Sequence, residues 1–147
     1  MSARFTFRLA RVLRHRRRLE DVRARAVREA VERRARAQAH AEALGHATDA
    51  ARAALGGACA DGIPAGTLQD HARAVLDLGR LTEAAAQVTA TAAQEAESRR
   101  VTLVAAAQER QMLERLEAIQ RAAWQASLRR ADQRTTDEIA TTRGRRT

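Results

Sequence analysis

The sequence contains very few residues of the kinds that build a thick globular core. Aromatic residues make up only 2% of its 147 positions, and it has one proline and one cysteine. A single thiol cannot form an internal disulfide or a thiolate metal cluster, so Cys59 excludes both within one chain. No run approaches the roughly 20 apolar residues that cross a bilayer, and the opening residues lack the apolar core of a signal peptide. We therefore expect a cytoplasmic protein.

Lysine is absent as well, so all 27 basic residues are arginine. Residues 1–36 contain 13 arginines and 4 acidic residues, whereas residues 37–147 contain 14 of each. The formal net charge of +9 therefore resides in the first quarter of the chain. An arginine run of this kind can steer a protein toward an acidic protein surface, can contact nucleic-acid phosphates, or can be a solvated helix face.

Alanine supplies most of the 45% apolar fraction, and together with arginine and glutamate it is typical of long helices. Apolar residues recur at steps of three and four, which predicts a first amphipathic helix over about 3–55. Its apolar stripe contains Leu9, Val12, Leu19, Val22, Ala26, Ala30, Ala37, Ala41, Leu44, Ala51 and Leu55.

Four glycines and the only proline fall within residues 56–66, which predicts a turn there, with Gly56 and Gly57 ending the first helix. The segment from Thr67 to Asp70 has the form of a capping box, so a second helix is predicted over about 67–140, followed by a frayed tail over 141–147. The second apolar stripe contains Leu68, Ala72, Val75, Leu78, Leu81, Ala85, Val88, Ala92, Ala96, Leu103, Ala106, Leu113, Leu116, Ile119 and Ala123.

Neither helix can bury its stripe alone, and a short turn favours antiparallel pairing. The predicted fold class is all-α, a long two-helix antiparallel coiled-coil hairpin that forms a single domain over 1–147. A pivot near Asp61 would place Phe5 beside Ile119. It would also place Gly45 opposite Gly79, where the helices could approach closely.

The few large side chains would gather at the open end of this hairpin, namely Phe5, Phe7, Met112 and Trp124. They would either close the open end or serve as anchors for a partner. Elsewhere we find no catalytic, cofactor-binding or metal-binding pattern. No pair of histidines lies at i,i+4 on one helix face with a carboxylate, and the acidic residues alternate with arginines as ion-pair partners. We therefore expect a protein that is not an enzyme and that uses no cofactor.

Both ends of the chain resemble one known family. The opening Phe5-Thr-Phe7-Arg-Leu9-Ala-Arg-Val12-Leu13, followed by an arginine- and glutamate-rich helix, is similar to the start of the FliJ family of flagellar type III export proteins. Leu113-Glu-Arg-Leu116-Glu, Trp124 and the segment from Ala131 to Arg143 resemble its end. Trp124 stands where the family more often has tyrosine or phenylalanine.

This resemblance implies a coiled coil similar to the central stalk of rotary ATPases. The implied partners are the flagellar export ATPase, the cytoplasmic domain of the export gate and the export chaperones. The implied location is cytoplasmic, peripherally associated with the inner face of the cell membrane through the membrane-embedded export apparatus. The candidate protein-binding residues are Phe5, Phe7, Arg11, Arg14, Arg16, Arg17, Arg18, Trp124, Gln133 and Asp137.

Other readings remain open at this point. The chain could be a basic helical hairpin that binds nucleic acid, although no stacking aromatic residues accompany the arginine run and no known nucleic-acid motif surrounds it. It could also be a generic coiled-coil scaffold or the stalk protein of an injectisome.

Overall fold

The computed structural model of the protein describes residues 4–144. Helix α1 covers Ala10–Ala60 and helix α2 covers Ala65–Gly144. The two helices pack against each other, and 93% of the described residues are helical, with no strand among them. The predicted all-α antiparallel hairpin is therefore confirmed.

Helix α1 begins later than predicted. Residues 4–9 precede it, and the amide of Ala10 donates a hydrogen bond to the carbonyl of Phe7 over 3.1 Å. The expected start near residue 3 lies outside the described residues. Phe7 is buried, with 6% of its surface exposed, so we attribute the non-helical path to the burial of this ring, which offsets the helical hydrogen bonds that the segment gives up.

Helix α1 also ends later than predicted, because it continues through Gly56 and Gly57. The turn depends on Gly62, which has a φ of 67°. Beyond it, the amide of Ile63 donates to the carbonyl of Ala58 over 3.4 Å, as in a glycine-terminated helix end. Glycine in a helix interior costs only about 1 kcal/mol relative to alanine, which weakens a helix without stopping it. The left-handed conformation at position 62 is what stops it.

Helix α2 begins at Ala65, directly after Pro64. The carbonyl of Pro64 accepts hydrogen bonds from the amides of Thr67 and Leu68, over 3.0 and 3.2 Å. Thr67 therefore lies inside the first turn, and its predicted role as the cap is wrong. Proline has a fixed φ and no amide hydrogen, so it suits the start of a helix better than the interior. At the other end α2 reaches Gly144, and the rest of the predicted tail lies outside the described residues.

Internal contacts divide the chain into two units. Residues 22–103, which include the turn, form what we call the turn unit. Residues 1–21 and 104–147 form what we call the terminal unit. Each unit contains a segment of both helices, and the expectation of a single domain stays a prediction.

Small side chains fill the seam of the turn unit. Ala30, Ala58, Ala85 and Ala96 are buried, and half-buried positions recur between them at the steps of three and four that are typical of coiled coils. The predicted stripe from Ala30 to Leu55 lies in this seam. The one buried polar residue of the described chain, Thr48, is 3% exposed.

The hydroxyl pair of Thr48 and Thr82 fixes the observed pairing of the turn unit. Their Oγ1 atoms lie 2.9 Å apart, and each also bonds a carbonyl one turn earlier. A pivot near Asp61 would have paired Thr48 with a residue about two turns closer to the bend. The expected close approach at Gly45 and Gly79 is also wrong, because a Cβ built on either glycine meets nothing within 4 Å.

We predict that Gly45→Ala and Gly79→Ala each stabilise the protein. Both positions are helical and open, so alanine removes conformational freedom from the unfolded chain without a clash, for about 0.5–1 kcal/mol each. The midpoint of urea unfolding should rise. Gly62→Ala is the matched control, and it should lower the midpoint because its φ is positive. A fall at position 45 would show that the helices there do need glycine.

Candidate protein-binding site

The seam of the terminal unit differs from the predicted apolar stripe. Leu13 is buried, with 4% of its surface exposed, whereas the predicted Val12 is 43% exposed. Arg16 and Glu20 follow Leu13 on the same side of α1 and are half-buried. In this part of α1 the seam therefore contains Leu13 where the apolar repeat predicts Val12. It also contains the charged side chains of Arg16 and Glu20.

Ion pairs across this seam replace apolar contacts. Arg110 of α2 bonds both Glu20 of α1 and Glu114 on its own helix. Arg17 donates to Oε1 of Glu114 from Nε and Nη2, over 3.3 and 3.0 Å. Next to this network, Arg16 Nη1 donates to Glu109 Oε2 over 2.6 Å. Because the side chains of Arg110 and Glu20 are only 24% and 22% exposed, water screens this pair less than the others.

These ion pairs shift the pKa values of Glu114 and Arg110. The hydrogen bond from Arg17 and the positive charges of Arg110 and Arg17 together lower the pKa of Glu114, against partial desolvation, which would raise it. The hydrogen bond to Glu20 and the nearby carboxylates raise the pKa of Arg110. Because the folded pKa of Glu114 lies below its unfolded pKa, its contribution to stability is complete above about pH 4.3 and is lost as pH falls through the folded value.

We predict that Glu114→Gln reduces stability at neutral pH and reduces the loss of stability on acidification. The glutamine keeps the shape but removes the charge that Arg17 and Arg110 meet. Urea midpoints at pH 7 and pH 3.5 should differ less in this variant than in the wild type. Glu97→Gln is the control, because Glu97 pairs only with Arg100 on an exposed helix surface. Equal effects of both substitutions would contradict a special role for the seam network.

An aromatic pair joins the segment before α1 to α2 in the terminal unit. The ring centroids of Phe5 and Trp124 are 5.7 Å apart, with the planes tilted by 49°. The guanidinium of Arg121 lies 5.4 Å from the centre of the Phe5 ring, and Nη2 of Arg121 donates to Glu117 Oε1 over 2.7 Å. Phe5 thus contacts Trp124 and Arg121, which lie five and two residues beyond the predicted Ile119. Met112 does not join this cluster, because it is 68% exposed on another face of α2.

The five candidate arginines of α1 separate into two groups. Arg16 and Arg17 form the cross-seam ion pairs described above. Arg11, Arg14 and Arg18 are exposed and form no ion pair with the described residues. Because their spacing of three and four residues places them on one side of the helix, we call these three residues the basic face.

The last two candidates, Gln133 and Asp137, are exposed on α2. Gln133 lines a surface concavity of about 440 Å³ together with Ala126, Arg129, Arg130 and Arg134. Asp137 follows one turn later, and its carbonyl accepts a hydrogen bond from the Thr141 hydroxyl over 2.8 Å. Gln133 therefore lies in a strongly basic environment that the sequence pattern did not single out.

The family model for the flagellar FliJ protein matches residues 5–147, which include the aromatic pair, the basic face and the concavity. The chain belongs to the FliJ family. It is therefore a flagellar export-related protein, and FliJ proteins form a non-enzymatic family. No curated protein and no solved structure matches the chain significantly.

The sequence prediction missed one exposed apolar surface of this FliJ-family chain. We call it the outer face of α2 and define it by Val104, Met112, Leu116 and Ile119. Val104, Met112 and Ile119 are 50%, 68% and 66% exposed. Together with the partly exposed Leu116 they lie on the side of α2 opposite the seam residue Arg110. Leu116 and Ile119 were assigned to the seam, and this assignment is wrong. A second apolar repeat, offset from the first, was the signal that could have revealed this face.

The turn unit carries a groove between its two helices. It has a volume of about 690 Å³, and its lining includes Arg33, Arg36, Ala37, Val88 and Glu95. Arg33 Nη2 donates to Glu95 Oε1 over 2.8 Å across the groove. Val88 is 60% exposed, so the groove combines an apolar floor with a charged rim.

The described residues contain neither a candidate metal site nor a candidate membrane span. Within residues 4–144, no three histidine, cysteine, aspartate or glutamate side chains converge as they would to hold a metal ion. Neither of the described helices has a stretch both apolar and long enough to pass through a membrane.

Proposed function

We propose that the protein is an accessory component of flagellar protein export, a coiled coil that binds the export ATPase ring and the export gate and helps to handle substrate chaperones. The observation that supports this most strongly is the FliJ match over residues 5–147 on a chain of two antiparallel helices. On this proposal the protein works in the cytoplasm, in peripheral association with the membrane-embedded export apparatus, and does so without catalysing a reaction.

The basic face is our candidate for the first contact with the ATPase. Arg16 and Arg17 are already paired with carboxylates, so a partner meets chiefly the charge of Arg11, Arg14 and Arg18. Unpaired cations on one helix face raise the rate of encounter with an acidic protein surface. The arginines that were predicted as a single binding run therefore have different roles on this proposal.

We assign to the aromatic pair the role of holding the segment before α1 in place for the contact with the ATPase. Phe5 packs on Trp124 and beneath Arg121, and Phe7 is buried, so the segment before α1 is held against α2. We assign Phe7 to packing. Phe5 and Trp124 are only half-buried, which leaves ring surface for a partner. A preordered contact loses less conformational entropy when it binds.

A stalk can activate a ring without any catalytic group. If the coiled coil binds only the assembled ring, its binding free energy favours assembly over the dissociated subunits. The expected readout is a higher turnover of the ATPase in the presence of the protein, with no hydrolysis by the protein alone.

We predict that the triple variant Arg11→Glu, Arg14→Glu and Arg18→Glu associates more slowly with the cognate export ATPase. The association rate should also depend less on salt, because the attraction between the basic face and the acidic surface is gone. Stopped-flow mixing at two ionic strengths measures both. The control is Arg25→Glu, Arg28→Glu and Arg34→Glu, which makes the same change in net charge on exposed positions of the turn unit.

Three outcomes would contradict this assignment. Equal slowing by both triple variants would mean that net charge alone matters. Tight binding of generic duplex DNA at physiological salt, with no effect of either variant on the ATPase, would favour the nucleic-acid alternative. If the purified protein never associates with the ATPase or the gate domain, a generic scaffold or an injectisome stalk becomes the better assignment.

The groove of the turn unit is our candidate contact for the gate domain or the chaperones. Exposed aliphatic residues such as Val88 lie beside alanines and an ion-paired rim. A shallow apolar groove with a polar edge is the usual form of a helix-binding surface. It lies in a different unit from the basic face, so the two contacts can be tested separately.

We predict that Val88→Glu weakens binding of the gate domain or of an export chaperone, while ATPase association is retained. A carboxylate in the groove floor would have to be desolvated by the partner. Pull-down of the tagged variant against each purified partner measures the effect. Val31→Glu is the control, because Val31 is 51% exposed in the same unit and does not line the groove. The assignment would be contradicted if Val88→Glu abolished binding to every partner, the ATPase included, or weakened binding to none of them.

A further inference from the structure

The outer face of α2 in the terminal unit is apolar where a solvated helix would be polar. Val104, Met112 and Ile119 are at least half exposed, and Leu116 is 37% exposed beside them. Between Val104 and Ala126 this face spans about 33 Å of helix. Large exposed apolar patches are rare on monomeric proteins, and this face exposes four large apolar side chains with Gln108 and Arg115 between them.

The spacing of this face favours a helix as the covering element. Ala105, Gln108, Met112, Arg115 and Ile119 follow one another at steps of three and four, which is the repeat of the coiled-coil seam. The same helix already uses such a repeat, on its opposite side, to pack against α1. A partner helix with an apolar stripe of the same period would bury the outer face along its full length.

The charges on the outer face identify the chemistry of that helix. Arg115 lies in the middle of the apolar strip, is exposed, and forms no ion pair with the described residues. At the end of the strip, Arg129, Arg130 and Arg134 surround the concavity of about 440 Å³. Burying the strip therefore requires a partner that brings carboxylates to Arg115 and to the arginine concavity.

The acidic residues near this face do not remove its positive charge. Glu109 at its edge is already paired with Arg16, and Asp137 lies one turn beyond Gln133. A second copy of the chain is disfavoured as the occupant, because pairing this face with its counterpart would bring Arg115 and the arginines of the concavity close to arginines. Complementarity of both shape and charge points to a different molecule.

We propose that the outer face of α2, from Val104 to the arginine concavity, is a docking site for an acidic amphipathic helix of a partner protein. The helix presents an apolar stripe to Val104, Met112 and Ile119 and a carboxylate to Arg115. The site is separate from the basic face on α1 and does not depend on the proposed contact with the ATPase. It can therefore fail while the export function stands.

The test uses the full chain and two labelled synthetic peptides of four heptads. Both peptides have leucine at the stripe positions. One has glutamate at the flanking positions and the other has lysine there. Fluorescence anisotropy, at concentrations where sedimentation shows each peptide to be monomeric, should show that the glutamate peptide binds the wild type and that the lysine peptide binds at least about tenfold more weakly.

Three variants locate the binding. Met112→Glu with Ile119→Glu should weaken the glutamate peptide by about tenfold or more, because these residues are central in the strip. Arg115→Glu should weaken the glutamate peptide and strengthen the lysine peptide, which a merely structural defect would not do. Val12→Glu, on the exposed side of α1, should change neither. Circular dichroism and urea midpoints confirm that every variant folds.

Several results would overturn the proposal. Equal binding of the two peptides would show that the charges do not select the occupant. Unchanged binding after Met112→Glu with Ile119→Glu would place the peptide elsewhere. Sedimentation that shows a wild-type dimer, abolished by the same double variant, would identify a second copy of the chain as the occupant.

Discussion

Arg110 lies in the seam of the terminal unit between the carboxylates of Glu20 and Glu114, and the seam depends on this arrangement. A guanidinium taken out of water costs several kcal/mol unless carboxylates replace the lost hydration. The pairing therefore selects the face of α1 that carries Leu13 and Glu20, and it leaves the alternative face with Val12 exposed. The choice of this face determines which residues of α1 stay exposed and accessible to a partner.

The same pairing divides the arginines of α1 between folding and binding. Arg16 and Arg17 are held by carboxylates of α2, so the net charge of the segment overstates what a partner meets. The apolar residues of α2 are divided in a similar way. Some lie in the seam with α1, and the rest lie exposed on the outer face, because one seam cannot bury them all. The terminal unit consequently offers a basic surface from one helix and a largely apolar surface from the other, and these suit partners of different chemistry.

The sequence predicted the turn unit better than the terminal unit for a physical reason. Between Ala30 and Leu55 the seam positions are mostly alanine and leucine at steps of three and four, so their spacing alone identifies the seam. In the terminal unit, Glu20 and Arg110 have aliphatic stems that pack and charges that pair, and a count of apolar residues ignores both. The outer face of α2 was missed because the same count placed Ile119 in the seam, where Arg110 and other charged residues in fact pack.

Local backbone chemistry explains the remaining differences at the turn and at the aromatic pair. Composition marks residues 56–66 as a turn but does not say which glycine takes a positive φ, and Gly62 does so. The grouping of Phe5 with Trp124 was predicted, whereas Ile119 was expected directly beside Phe5. The ring partner of Phe5 is Trp124, five residues beyond Ile119, because the helices do not pair as a pivot near Asp61 predicts.

The thinness of the seam determines how the protein responds to temperature. Among the described residues no large side chain is fully buried, and the buried set consists mostly of alanine. Unfolding therefore exposes little apolar surface, so its heat-capacity change is small and its free energy varies slowly with temperature. Heating also lowers the desolvation cost of the ion pairs around Arg110. A broad, shallow melting curve is thus the expected behaviour of the correctly folded chain and not a sign of a disordered one.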